Sequence, residues 1–138
     1  MNVSEGASLL LYTLETESGS ISIDKIVIGK IITETVDKFH GKVLISNHKG
    51  KVSGFVSKFG GIDEVNNMEI NFGKNGLDIR LYIVIRFGTS INMVTEHLIQ
   101  NIKKDIEEYI AIEANSVAVV VSGMFSKQVV RRNIEVRG

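Results

Sequence analysis

The sequence predicts an α+β fold: a two-layer sandwich in which a small mixed β-sheet carries two helices packed on one face. Three observations predict it. Leu77, Ile79, Leu81, Ile83, Ile85 and Phe87 alternate strictly with Asp78, Arg80, Tyr82, Val84 and Arg86. That is the period of a strand with one face on a core and the other largely in water. Two further stretches repeat apolar residues at spacings of three and four, the period of an amphipathic helix. Elements that each have a single apolar face are buried most economically when helices lie against one side of a sheet. A chain of 138 residues has enough length for one core and hardly enough for two.

The elements follow in order. Residues 1–8 are small and polar and are expected to form a flexible N-terminus; residues 9–126 are expected to form the single domain. Residues 9–23 are β-like, with Leu14, Ile21 and Ile23 among Thr and Ser and a break at Gly19. Ile28, Ile31, Ile32, Val36 and Phe39 then mark a helix over about 24–39, with Asp24 as N-cap and Gly41 as its C-terminal stop. Residues 40–67 are the least regular stretch, containing Gly41, Gly50, Gly54, Gly60 and Gly61, with a short strand at Val43, Leu44 and Ile45. Met68, Ile70 and Phe72 alternate with Glu69 and Asn71, and Gly73-Lys74-Asn75-Gly76 separates them from the long alternating run. An Asn-Gly pair in that place signals a β-hairpin, here about 68–87.

Ile91, Val94, Leu98, Ile102, Ile106 and Ile110 form the stripe of a second helix, with Glu96, Gln100, Lys103, Lys104, Glu107 and Glu108 on its other side. Ser90 is its expected N-cap, but Met93 stands three residues on, so the reciprocal capping box is missing. The Val-rich run 116–122 reads as a strand buried on both faces or placed centrally in the sheet. Residues 127–138, with Lys127, Arg131, Arg132 and Arg137 against Glu135, form a basic C-terminal tail or an edge strand built on Val130, Ile134 and Val136.

Composition excludes several functional classes. Hydrophobic residues at 43% and charged residues at 23% are those of a folded globular chain. Sixteen basic residues balance sixteen acidic ones, which argues against a nucleic-acid binder. With no Cys there are no disulfides, thiol nucleophiles or Cys-ligated metals, which fits a reducing compartment. The longest apolar runs span only a few residues, far short of the roughly 18–20 that a membrane-crossing helix needs. Glu5, Thr13 and Glu15 spoil an export signal. The expected location is the cytoplasm, without direct membrane insertion.

The search for reaction chemistry is negative. The chain contains no G-x-S-x-G, no phosphate-binding G-x-x-x-x-G-K-[ST] and no dinucleotide-binding G-x-G-x-x-G. His40, His48 and His97 lack the short spacings of a metal-ligand pair. The carboxylate pairs Asp63-Glu64 and Glu107-Glu108 are adjacent in sequence, so their side chains point apart. No catalytic, cofactor-binding or metal-binding residue is therefore assigned, no cofactor is expected, and the chain does not read as an enzyme. Lys38, Lys42, Lys49, Lys51 and Lys58 follow one another without an intervening acid; they mark either a solvated loop or a surface for an acidic or phosphate-rich partner. The expected partner-binding residues are Arg80, Tyr82 and Arg86 on the wet sheet face, with Lys49, Lys51 and Lys58 in the basic loop. The alternative is a nucleic-acid-binding adaptor using loop 42–58 and the same sheet face. Stacking platforms for RNA generally use two or more aromatics, and only Tyr82 is present here.

Two stretches carry a resemblance. The first is Gly19-Ser20-Ile21-Ser22-Ile23-Asp24-Lys25-Ile26-Val27-Ile28-Gly29-Lys30-Ile31-Ile32. The second runs from Leu77 through Ile85, Phe87-Gly88-Thr89-Ser90-Ile91 and the second helix to Ser116-Val117-Ala118-Val119-Val120-Val121-Ser122-Gly123. Over about residues 9–123 the chain resembles the alkaline shock protein (envelope stress response, or general stress) family of Gram-positive bacteria. It departs from the family pattern in two respects. Lys25-Ile26 and Asn92-Met93 stand where Pro and Glu are usual, and Ala111-Ile112 stands where a Gly-Leu pair is usual. The resemblance implies a small non-enzymatic cytoplasmic protein that self-associates into a homo-oligomer; some members of the family are held at the membrane by an anchored protein partner, and others are linked to regulating lipid-precursor synthesis. It carries over no catalytic residue.

Overall fold

A computed structural model of the protein describes residues 10–52 and 65–126. In chain order its elements are β1 (Leu10–Thr16), β2 (Gly19–Asp24), α1 (Lys25–Asp37), β3 (Val43–Ile45), β4 (Glu69–Gly73), β5 (Gly76–Arg86), α2 (Ile91–Ile110) and β6 (Ala114–Phe125). The fold is the small α+β architecture that the periodicities predict. The four-stranded sheet is built around β5, which pairs antiparallel with β3 and β4 and parallel with β6. Parallel neighbours need a crossover rather than a tight turn, and α2 supplies it. The β1–β2 hairpin forms a separate two-stranded sheet.

Alternation along β5 decides what each face does. Leu77, Ile79, Leu81, Ile83 and Ile85 are fully buried and share one core with Ile28, Ile32 and Val36 of α1 and with Leu98, Ile102 and Ile106 of α2. Both helices therefore cover the same side of the sheet. Complete burial of an aliphatic side chain of this size contributes roughly 1.5–3 kcal/mol, so these residues dominate the folding energy. Three residues of the predicted apolar faces fall outside the core: Phe72 is 37% exposed, Phe87 74%, and Ile91 at the first turn of α2 41%. Alternation ends with β5 at Arg86, and the chain turns away there instead of continuing the strand.

Ser90 caps α2 with its side chain as expected, whereas Asp24 stands at the N-cap of α1 without a side-chain capping bond, and two further expectations are corrected. Helix α1 ends at Asp37, two residues short of Phe39, and the positive φ values fall on His40 (55°) and Gly41 (83°). In the β4–β5 hairpin, Gly73 pairs with Gly76, so Lys74 and Asn75 are the two loop residues. Gly76, at φ 120°, carries the positive φ, and a Cβ there would lie 2.5 Å from the Glu113 carbonyl oxygen at the entrance to β6. Finally, β6 is not central. Among the described residues it pairs with β5 alone, and residues 118–123 are only half-buried. Leu77 donates its amide to Glu113 O at 3.1 Å, which sets the start of this parallel pair.

One polar cluster joins the helices. Asp105 of α2 is 5% exposed. Its Oδ2 accepts from Thr35 Oγ1 at 2.7 Å and from Lys38 Nζ at 3.2 Å. Burial pushes the Asp105 pKa up, but the Thr35 and Lys38 hydrogen bonds, with the charges of Lys38 and Lys104, outweigh it and hold the carboxyl below its ordinary value. A depressed folded-state pKa stabilises the fold above the unfolded-state value near 3.8. That contribution is lost as the pH falls through the lower folded-state value.

Two substitutions test these local arrangements. Asp105→Ala leaves the buried Thr35 hydroxyl without its charged acceptor; urea denaturation at pH 7 should show a loss of about 1–3 kcal/mol. The variant should also lose less stability than the parent between pH 5 and pH 2. Ala111, at the C-cap of α2, sits at φ 57° and ψ 31°, a left-handed conformation that glycine adopts without strain. Ala111→Gly should raise stability by about 1 kcal/mol, measured by the same denaturation.

Candidate interaction surfaces

The second face of β5 carries Asp78, Arg80, Tyr82, Val84 and Arg86, and Arg80 and Tyr82 are tied to each other and to Glu69 of β4. Arg80 Nε donates to Tyr82 Oη at 3.2 Å, and that hydroxyl donates to Glu69 Oε2 at 3.2 Å across the β4–β5 ladder. The guanidinium carbon stands 5.9 Å from the centre of the Tyr82 ring, within cation–π range. The hydrogen bond to the Tyr82 hydroxyl raises the Arg80 pKa, and the Glu69 charge acts in the same direction. At the far end of the strand, Asp78 Oδ1 accepts from Asn115 Nδ2 (2.9 Å) and Ser116 Oγ (2.7 Å) of β6. Those two bonds hold its carboxyl below the ordinary value.

The face is not open along its whole length. Ser46 continues the β3 ladder, donating its amide to Tyr82 O at 2.9 Å. The chain then turns across the sheet. Asn47 Oδ1 accepts from the amides of Lys49 (2.8 Å) and Lys51 (2.9 Å), an Asx-type turn that needs no helix or strand partner. His48 meets Tyr82 edge-on at a ring separation of 6.3 Å. Gly50, at φ 84°, comes so close to β6 that a Cβ there would lie 3.0 Å from Ser122 O. The turn therefore spans from β3 over β5 to β6, and Val84 beneath this side of the sheet is only 5% exposed.

The expected partner-binding residues consequently separate into groups. Arg80 and Tyr82 belong to one network, and Lys49 and Lys51 stand exposed on the turn whose His48 contacts that network. Arg86 lies six residues from Arg80 on β5, about 20 Å along the strand, and contributes to a different feature. Lys58 falls outside the described residues. His48 and His97 enter separate surfaces, and among the described residues no three His, Asp or Glu side chains converge as a metal-binding group. No described helix is long and apolar enough to cross a membrane.

Arg86 lines a cleft of about 440 Å³ where β5 gives way to α2. Lys42, Phe39, Phe87, Met93 and His97 also line it. Sequence reasoning missed this grouping because Phe87 fits the core alternation and Lys42 lies 44 residues away in the chain. The available signal was Arg86-Phe87-Gly88-Thr89-Ser90, a cation and an aromatic at a strand end immediately before a helix cap.

The turn 47–51 offers a direct check. Gly50→Ala forces a Cβ toward the Ser122 carbonyl and places alanine in the left-handed region, at a cost of about 1–2 kcal/mol. Hydrogen exchange should quicken at the Asn47, Gly50 and Lys51 amides while the α2 amides keep their rates.

The model of the alkaline shock protein 23 family, described as having a cell envelope-related function, matches residues 13–126. Neither a curated protein nor a solved structure matches the chain.

Proposed function

The chain belongs to the alkaline shock protein 23 family, and from that premise we propose that it is a non-enzymatic interaction protein of the cell envelope. In this reading it works in the cytoplasm, self-associates, and reaches the membrane through an anchored protein partner. The observation that carries the reading is the Arg80–Tyr82–Glu69 network on the sheet face away from the helices, flanked by the turn with Lys49 and Lys51. Arg and Tyr are the residue types that most often anchor protein interfaces. Here each is held in one orientation before any partner arrives, which lowers the entropy lost on binding. The exposed lysines add charge at the rim, where it speeds encounter more than it strengthens the complex.

Light scattering coupled to size-exclusion chromatography tests this over a wide concentration range. The parent chain should run as an oligomer. Arg80→Ala should weaken association by roughly 30-fold or more, the effect of losing a hot-spot residue worth at least about 2 kcal/mol. A strict monomer at every concentration contradicts self-association. Retention of labelled RNA at low salt, lost as salt rises, would instead support nucleic-acid binding.

A further inference from the structure

We propose that the cleft between the end of β5 and the start of α2 binds an amphiphilic anion: one carboxylate or phosphate monoester head on an apolar chain. The charge argument begins with strand register. Val43 pairs with Ile85, and Arg86 donates its amide to Lys42 O at 2.8 Å, so Lys42 and Arg86 stand opposite each other across the β3–β5 ladder. Like charges directly opposite on neighbouring strands destabilise the pair. No carboxylate lines the cleft, and neither cation has a side-chain partner among the described residues. By contrast, Lys38, which is also exposed, is paired with Asp105. An anion seated between Lys42 and Arg86 gives both cations a partner that the described residues do not supply.

The cleft also has an apolar lining. Phe87 is 74% exposed and Met93 59% exposed; Phe39 is partly buried against the core and Val94 is buried at 7% exposure, and all four line this cleft. Exposed apolar residues scattered singly need no explanation. Here they line the same cleft as Lys42 and Arg86. Methionine is an adaptable lining for chains of varied shape. The volume of about 440 Å³ falls within the roughly 300–1,000 Å³ of small-molecule sites. Two cations match a single head group; a polyphosphate needs more donors than these. The N-terminus of α2 also opens here, but the Met93 amide is already bound by Ser90 Oγ at 3.3 Å. The cations and the cleft carry the inference, not the helix end.

The test uses the full chain, labelled with nitrogen-15 and titrated with decyl phosphate below its micelle-forming concentration. Parallel arms contain decanoate, inorganic phosphate, decyltrimethylammonium and phosphatidylglycerol vesicles. Saturable shifts are expected at the Lys42, Arg86, Phe87, Gly88, Thr89 and Met93 amides with decyl phosphate or decanoate, and the tighter of the two identifies the head group. Inorganic phosphate should bind at least tenfold more weakly, and the cationic surfactant should not bind at these amides. Lys42→Gln and Arg86→Gln should each weaken binding about tenfold. Phe87→Ser alters an exposed side chain outside the core, keeps the fold, and should weaken the amphiphiles without changing the response to inorganic phosphate. The proposal is overturned by the absence of saturable shifts at the cleft, by equal affinity for the cationic surfactant, or by unchanged affinity in the Phe87→Ser variant. Binding to vesicles without binding to monomeric amphiphile also overturns it. Each arm reads cleft occupancy separately from oligomer mass, so its outcome leaves the self-association reading to its own test.

Discussion

Burial of one face of β5 is the constraint on which the remaining structure depends. Five fully buried aliphatic side chains on one strand, at roughly 1.5–3 kcal/mol each, contribute about as much as the entire net stability of an ordinary domain. The same strand is also the hub of the sheet. It holds β3 and β4 on one edge and β6 on the other, so a one-residue slip would reverse every face at once. Among the described residues, helices α1 and α2 have no other apolar surface of that length on which to settle.

Once the aliphatic face is committed, the polar residues of β5 must lie on the opposite side, and their role follows from that position. Arg80, Tyr82 and Glu69 contribute little to stability there, since exposed ionic contacts are typically worth less than about 1 kcal/mol. What they provide is a fixed arrangement of groups on a surface. Asp105 shows the contrasting case. Enclosed between α1 and α2, its carboxylate meets a hydroxyl and an ammonium and so fixes how the two helices sit relative to each other, in addition to their apolar contact.

Much of this fold was legible in the sequence, because period and burial coincide. The alternation of 77–85 and the stripe from Val94 to Ile106 map directly onto the core. The failures lie where chain direction overrides local pattern. Phe87 continues the alternation of β5 in sequence, yet the strand has ended and its side chain faces outward. The Val-rich composition of β6 suggested a central strand, but hydrophobicity does not reveal how many neighbours a strand has. For the candidate surfaces, Arg80 and Tyr82 were legible as outward positions. The turn that crosses them was not, because its placement depends on Gly50 meeting β6, a contact between residues 72 apart in sequence. The pairing of Lys42 with Arg86 was hidden for the same reason.

The chain belongs to a family with a cell envelope-related function, builds its aliphatic core on one strand and leaves a polar face outside that core. Amide hydrogen exchange of the native protein, followed residue by residue, tests this arrangement most directly. The slowest amides should be those of residues 79–85, exchanging only through global unfolding. Exchange of these amides as fast as those of the β1–β2 hairpin would contradict the central place given to β5.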